Sequence, residues 1–199
     1  MMISPKQLDD RVALDETLAD RARRGSGGAF AALVTRHRDA VYAIARNMCP
    51  TLRDTEEVLQ QAFLSAWREL GSVPAGANFT TWLYGIAMKA ALTQPQRDRR
   101  GPPTSLESFL PAFDRAGRLA ASGGPLTPRR QPSEPGKITG LLREALECID
   151  DQARGAFVLH HLLQLPVDEA AVILEISPAD VRRDAHRALL MLGGFLDQL

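Results

Sequence analysis

The sequence predicts an all-α protein: two helical domains joined by a flexible linker, the second domain a helix-turn-helix. Three observations carry this. Apolar residues recur at three- and four-residue intervals through residues 30–92, and the strict alternation of a half-buried strand occurs nowhere. Eight of the 13 prolines, with the Gly123-Gly124 pair, fall within residues 95–137, where no helical spacing is sustained. Near the carboxy-terminus, Ser177-Pro178-Ala179-Asp180 has the chemistry of a helix start and follows another apolar helix after only Glu175 to Ser177. The expected boundaries are an amino-terminal extension over 1–26, a first domain over 27–94, a linker over 95–137 and a second domain over 138–199.

The extension is polar and charged, and its pattern leaves disorder and one more short helix both open. In the first domain Phe30, Leu33, Val34, His37, Val41, Ile44 and Ala45 follow helical spacing, as do Val58, Leu59, Ala62, Phe63, Ala66, Trp67 and Leu70 in the next helix. Asp54 with Glu57 three residues on reads as a capping box for that second helix, and Gly71 ends it. A third helix opens at Phe79 or Thr80, buries Phe79, Trp82, Leu83, Ile86 and Ala90, and is stopped by Pro95. In the second domain a helix starts at Pro166-Val167-Asp168-Glu169. The last helix takes Ser177 as its cap, Pro178 in its first turn and Asp180 at its third position, where a carboxylate closes a capping box and meets the positive end of the dipole. Val181, Ala185, Ala188 and Leu192 form its buried stripe, and Arg182, Arg183, His186 and Arg187 its exposed face.

Composition excludes several classes. No run of about 18 apolar residues occurs, and the amino-terminus lacks the apolar stretch of a signal peptide, so a cytoplasmic protein is expected. Cys49 and Cys148 stand far apart with no second ligand nearby, which argues for reduced thiols rather than a disulfide or a metal site. No phosphate-binding glycine loop or nucleophile elbow appears. The adjacent His160 and His161 diverge by about 100° on a helix, so neither an enzyme nor a cofactor is expected. The formal net charge of zero divides unevenly: the linker holds 8 Lys and Arg against 4 Asp and Glu over residues 93–137, and residues 138–199 hold 5 against 10. An acidic second domain grips a phosphate backbone weakly on its own.

Three segments in order carry a resemblance. Phe30-Ala31-Ala32-Leu33-Val34, then Asp54-Thr55-Glu56-Glu57-Val58-Leu59-Gln60-Gln61-Ala62-Phe63 with Ala66-Trp67, then Phe79-Thr80-Thr81-Trp82-Leu83-Tyr84-Gly85-Ile86-Ala87, are similar to the core-binding and promoter-melting domain of bacterial extracytoplasmic-function sigma factors. The helix-turn-helix resembles that family's second domain. The match spans residues 27–92 and 138–195.

The resemblance implies a dissociable initiation subunit of RNA polymerase. Its partners would be the clamp of the largest polymerase subunit, promoter DNA, and an anti-sigma protein, commonly membrane-anchored in this family, with no membrane insertion of the chain itself. It places Asp54, Glu57, Gln60, Gln61 and Trp67 on the docking surface. Core packing competes for Trp67, while the adjacent Gln60 and Gln61 cannot both point inward. Asn78, Thr81 and Lys89 would read the minus-ten element, with Arg97, Arg99 and Arg100 tracking phosphate beyond them. Ser177 and Ala179 would present backbone amides to a phosphate, and Arg182, Arg183, His186 and Arg187 would face the minus-thirty-five element.

The chain also departs from that family. Asp184 stands where arginine is common, Ala188-Leu189-Leu190-Met191-Leu192 replaces a basic tail, and Glu175 occupies a turn position that often holds glycine. These departures leave an alternative open: a sigma-like adaptor or decoy that binds polymerase or an anti-sigma protein without recognising promoters.

Overall fold

The computed structural model describes residues 5–73, 78–94, 145, 146 and 148–197; the linker's proposed phosphate-tracking arginines lie outside them. All regular structure among the described residues is helical. Helices α1 (Pro5–Arg23), α2 (Gly27–Met48), α3 (Leu52–Glu69) and α4 (Phe79–Thr93) form the first domain. Helices α5 (Asp151–Phe157), α6 (Val167–Leu174) and α7 (Pro178–Asp197) form the second, with α5 continuing through a π-type turn over Val158–Leu162.

The first core is the apolar stripe of the sequence folded inward. Leu33, Val41 and Ile44 of α2, Val58, Ala62 and Ala66 of α3, and Phe79 and Leu83 of α4 are all buried. Trp82 and Ile86 are half-buried, packed at the edge of that core. The small residues on α3 let α2 and α4 approach it closely, while the larger side chains fill the space between them. Pro95 follows directly on the last residues of α4, so the helix ends where the missing amide requires.

One local expectation needs correction, and one that was left open is decided. The cap of α3 is Thr51, whose hydroxyl accepts from the Asp54 amide at 3.1 Å and donates to the Asp54 carboxylate at 2.6 Å. The capping box is therefore Thr51 with Asp54, three residues before the one expected, and Glu57 instead pairs with Arg53 at 3.1 Å. Second, the extension is a 19-residue helix. From it Asp15, Ala19 and Ala22 are buried against the rest of the first domain, so this part of residues 1–26 belongs to that domain's core.

The second core comprises Ala153, Ala156 and Leu159, Ala170, and Val181, Ala185 and Ala188. Helix α6 ends at Glu175, which takes a left-handed conformation with φ 56° and ψ 37°. That bend, with Ser177 capping and Pro178 opening the next helix, turns the chain sharply into α7, as a helix-turn-helix requires. His160 hydrogen-bonds through Nδ1 to the Leu165 carbonyl at 3.0 Å, and the His161 ring packs on Phe157. Both histidines are accounted for by helix packing.

The domains touch. Helix α4 packs on α6, and α2 lies against α5. At this seam Gly155 of α5 leaves room for its neighbours: a Cβ there would come 3.0 Å from the Leu174 side chain and 3.7 Å from Met88 of α4.

Candidate nucleic-acid interface

The start of α7 is built as the sequence predicts. The Ser177 hydroxyl accepts from the Asp180 amide at 3.1 Å and donates to its carboxylate at 2.6 Å. That bond holds the Asp180 carboxyl below its ordinary range, with the charge of Arg183 adding to the effect. Ser177, Pro178 and Ala179 are exposed, so the first amides of the helix face solvent beside the cationic face.

The four cationic positions are not equivalent. Arg182 and His186 are exposed. Arg183 is exposed but bridged to Asp180 at 2.6 Å and to Asp184 at 3.1 Å. Arg187 is half-buried and forms an ion pair with Asp150 at the start of α5. It therefore ties α7 to α5, with less freedom to reach DNA than the reading face suggested.

Asp184 corrects the sequence reading most directly. Only 3% exposed, it accepts from Gln152 at 2.6 Å and from Arg183. It lies on the inner side of α7 with Val181, Ala185 and Ala188, so it is a buried acceptor joining α7 to α5 and not a negative charge on the exposed cationic face. Of the apolar tail, Ala188, Met191 and Leu192 are buried, whereas Leu189 and Leu190 are almost half exposed.

In the first domain, Asn78 caps α4, its side-chain oxygen accepting from the amides of Thr80 and Thr81 at 2.9 and 3.3 Å. Lys89 is exposed on the same helix. Between them the Thr81 hydroxyl donates to Glu169 of α6 at 2.8 Å, a partner 88 residues away that no local pattern reveals. These residues line a cleft of about 950 Å³ between α4 and α6, walled by Trp82 and Ile86 on one side and by Val172 and Ile173 on the other.

A separate surface runs along α3. Asp54 is half-buried, while Glu57, Gln60 and Gln61 are all exposed, so both glutamines face outward. Trp67 is 45% exposed and its ring sits 4.8 Å from that of Phe30. With Gln60, Phe63 and Leu64 the two rings line a shallow groove of about 400 Å³. Trp67 is thus neither pure core nor pure surface: one side packs on Phe30 and the rest is open to a partner.

Sequence reasoning missed a buried polar cluster behind α4. The Asp15 carboxylate receives His37 at 3.1 Å and Arg36 at 2.8 Å, and the Tyr84 hydroxyl lies 3.4 Å from the other ring nitrogen of His37. Burial alone would raise the Asp15 carboxyl, but the hydrogen bond and charge of His37, with Arg36, bring it below its ordinary value. Tyr84 is pushed up to about 12, first by burial and then by the carboxylates of Asp15 and Glu169. The phenol stays neutral at ordinary pH. His37 lay on a helical apolar spacing, which was the one signal that it pointed inward.

Comparison with known proteins matches residues 33–101 to Sigma-70 region 2 and residues 139–192 to Sigma-70 region 4. The chain is 30% identical over 176 residues to the ECF RNA polymerase sigma-E factor of Escherichia coli strain K12, covering 87% of this chain and 90% of that one. It is 25% identical over 174 residues to the RNA polymerase sigma-H factor of Pseudomonas aeruginosa, covering 87% and 89%. Among solved structures, CnrH in complex with the cytosolic domain of CnrY aligns with a TM-score of 0.65 at 24% identity, over 92% of this chain and 97% of that one. The sigma factor RpoE in complex with the anti-sigma factor NepR from Bartonella quintana aligns with a TM-score of 0.61 at 19% identity, over 84% and 96%. At these identities the two structures speak to the fold.

Proposed function

The chain belongs to the extracytoplasmic-function family of RNA polymerase sigma factors, and from that premise we propose how its surfaces divide the work of initiation. As a sigma factor it directs core polymerase to specific promoters and opens them for transcription. One observation carries the division: the two matched regions fall, in order, on α2–α4 and on the helix-turn-helix, each with a distinct exposed polar face.

Core polymerase docks on α3. Glu57, Gln60 and Gln61 supply polar contacts, and the Phe30–Trp67 groove receives an apolar side chain; Asp54 contributes at the edge while holding the cap. Promoter melting belongs to α4. An extruded base needs a loop with accessible backbone groups and apolar walls, and the strand around it needs cations. Asn78 fixes where α4 begins, Thr81 lines the entrance beside the apolar walls of Trp82 and Ile86, and Lys89 meets phosphate. The start of α7 reads the upstream element. Amides at Ser177 and Ala179 take a phosphate, Arg182 and Arg183 enter the major groove, and His186 and Arg187 flank them. A bidentate arginine contact to guanine is worth about 1–3 kcal/mol of discrimination.

The factor performs no bond-making of its own and works where polymerase works, in the cytoplasm. Among the described residues no helix is long and apolar enough to cross a membrane. An anti-sigma protein holds it inactive: the structurally similar RpoE of Bartonella quintana was solved with the anti-sigma factor NepR, and CnrH with the cytosolic domain of CnrY. The decoy reading loses its chief support once Asp184 leaves the reading face.

Run-off transcription tests this, with purified core polymerase and the chain on pooled genomic promoter fragments at low salt. Discrete starts absent with core alone are expected. A stable complex with core that yields no such starts would overturn the promoter-directing role.

A further inference from the structure

Resting on that functional reading, we propose that the free factor is self-closed: its second domain covers the promoter-melting face of the first, and Glu169 is the latch. Thr81, assigned to the melting face, spends its hydroxyl on Glu169 of the other domain. The contact is a seam and not a single touch. Met88 of α4 meets α5 at Gly155, and Trp82 and Ile86 face Val172 and Ile173 across the cleft.

Charge makes the closed arrangement incompatible with strand binding. Asp168, Glu169 and Glu175 line the cleft opposite Lys89. A single strand lying along α4 would bring phosphates up to these carboxylates, and like charges at a few ångströms repel strongly where water is partly excluded. Tyr84 carries the mark of this proximity, since Glu169 is one of the charges that push its hydroxyl up.

The seam suits a latch because it is polar at its rim and leaves a cleft of about 950 Å³ unfilled. Contacts of this kind between domains of one chain permit relative motion. Docking on polymerase, which separates the two domains to span a promoter, opens it. Until then the fraction of open molecules sets the apparent affinity for melted DNA, which falls in proportion to that fraction.

The distance between domains reads closure directly. Donor and acceptor dyes are placed at Arg53→Cys on α3 and Gly193→Cys on α7, both exposed positions, in a full-length Cys148→Ser background. Glu169→Arg should lower energy transfer in the free protein, shifting the closed-to-open ratio about tenfold, and Glu169→Gln should fall between it and the parent. Thr81→Val removes the other half of the bond from the other domain and should move transfer in the same direction, with helix content checked by circular dichroism. Unchanged transfer in all three folded variants would overturn the latch. The measurement needs no polymerase, so it decides closure whether or not the parent chain initiates transcription.

Discussion

At the residue scale, buried polar groups are where single changes cost most. Asp15 is 4% exposed and satisfies His37 and Arg36 together. Asp15→Ala should destabilise the first domain by about 1–3 kcal/mol, since it strands buried partners. The pH dependence follows from the sign of the shift. The folded carboxyl lies below its ordinary value, so its contribution is complete above about pH 4 and is lost as pH falls through the lowered folded value. Urea melts of the parent and Asp15→Asn should therefore differ at neutral pH and draw together as the pH falls through the lowered folded value; a gap independent of pH would count against the assignment.

Glu175 presents the opposite case. A non-glycine residue in the left-handed region costs roughly 1–2 kcal/mol, part of which glycine gives back through its freer unfolded chain. Glu175→Gly should raise the melting temperature by a few degrees, and calorimetry would show it. Glu175 was visible in the sequence as a departure at a turn, and the backbone supplies its physical meaning. Asp184 was visible too but misread, because the turn of α7 that buries it is set by α5, whose Gln152, 32 residues earlier, no local pattern connects to it.

At the scale of elements, α7 and α3 each expose a face whose residues differ in freedom. Arg183 is shared between two carboxylates, whereas Arg182 is exposed beside it. Substituting either with alanine should weaken promoter-specific transcription and leave core binding intact, Arg182→Ala by about tenfold or more and Arg183→Ala by less, because reading DNA costs Arg183 its existing bridges. Equal transcription from both variants in a run-off assay would remove this face from promoter reading. On α3, Gln61→Ala should reduce affinity for core polymerase with a change in stability of no more than about 0.5 kcal/mol, as expected of an exposed side chain. An unchanged core pull-down would move the docking face elsewhere.

The capping boxes of α3 and α7 show how far local chemistry reaches. At α7 the serine, proline and aspartate specified the helix start residue by residue. At α3 the box expected at Asp54 gives way to one that starts at Thr51, because a hydroxyl can both accept the Asp54 amide and donate to its carboxylate, which a carboxylate cap cannot.

At the scale of the whole molecule, the decisive feature is that domains drawn as separate beads lie against each other. Gly155 sits where α5 meets Leu174 of α6 and Met88 of α4. Gly155→Val should cost about 1–3 kcal/mol through overpacking against Leu174 and Met88, and should loosen the seam in the same step. Calorimetry that found the parent's melting temperature in this variant would mean that the seam yields freely. The acidic balance of residues 138–199 has its place at this scale too: three of those carboxylates line the cleft and face α4.

Periodicity, caps and breakers are properties of neighbouring residues, so the sequence by itself determined the all-α class, the helices of both domains and the sharp turn into α7, while the resemblance of its ordered motifs pointed to the family. Which side chains would be buried along each stripe followed almost as directly, since apolar residues at helical spacing have one face to hide. Contacts between distant segments had no such local signal. The pairing of Asp15 with His37, the inward turn of Asp184 toward Gln152, the tie of Arg187 to Asp150 and the meeting of Thr81 with Glu169 each join residues 22 to 88 positions apart, through contacts that form only when helices pack. Tertiary structure decided these because a charged or hydroxyl side chain takes its role from what faces it, and what faces it is set by the packing of the helices.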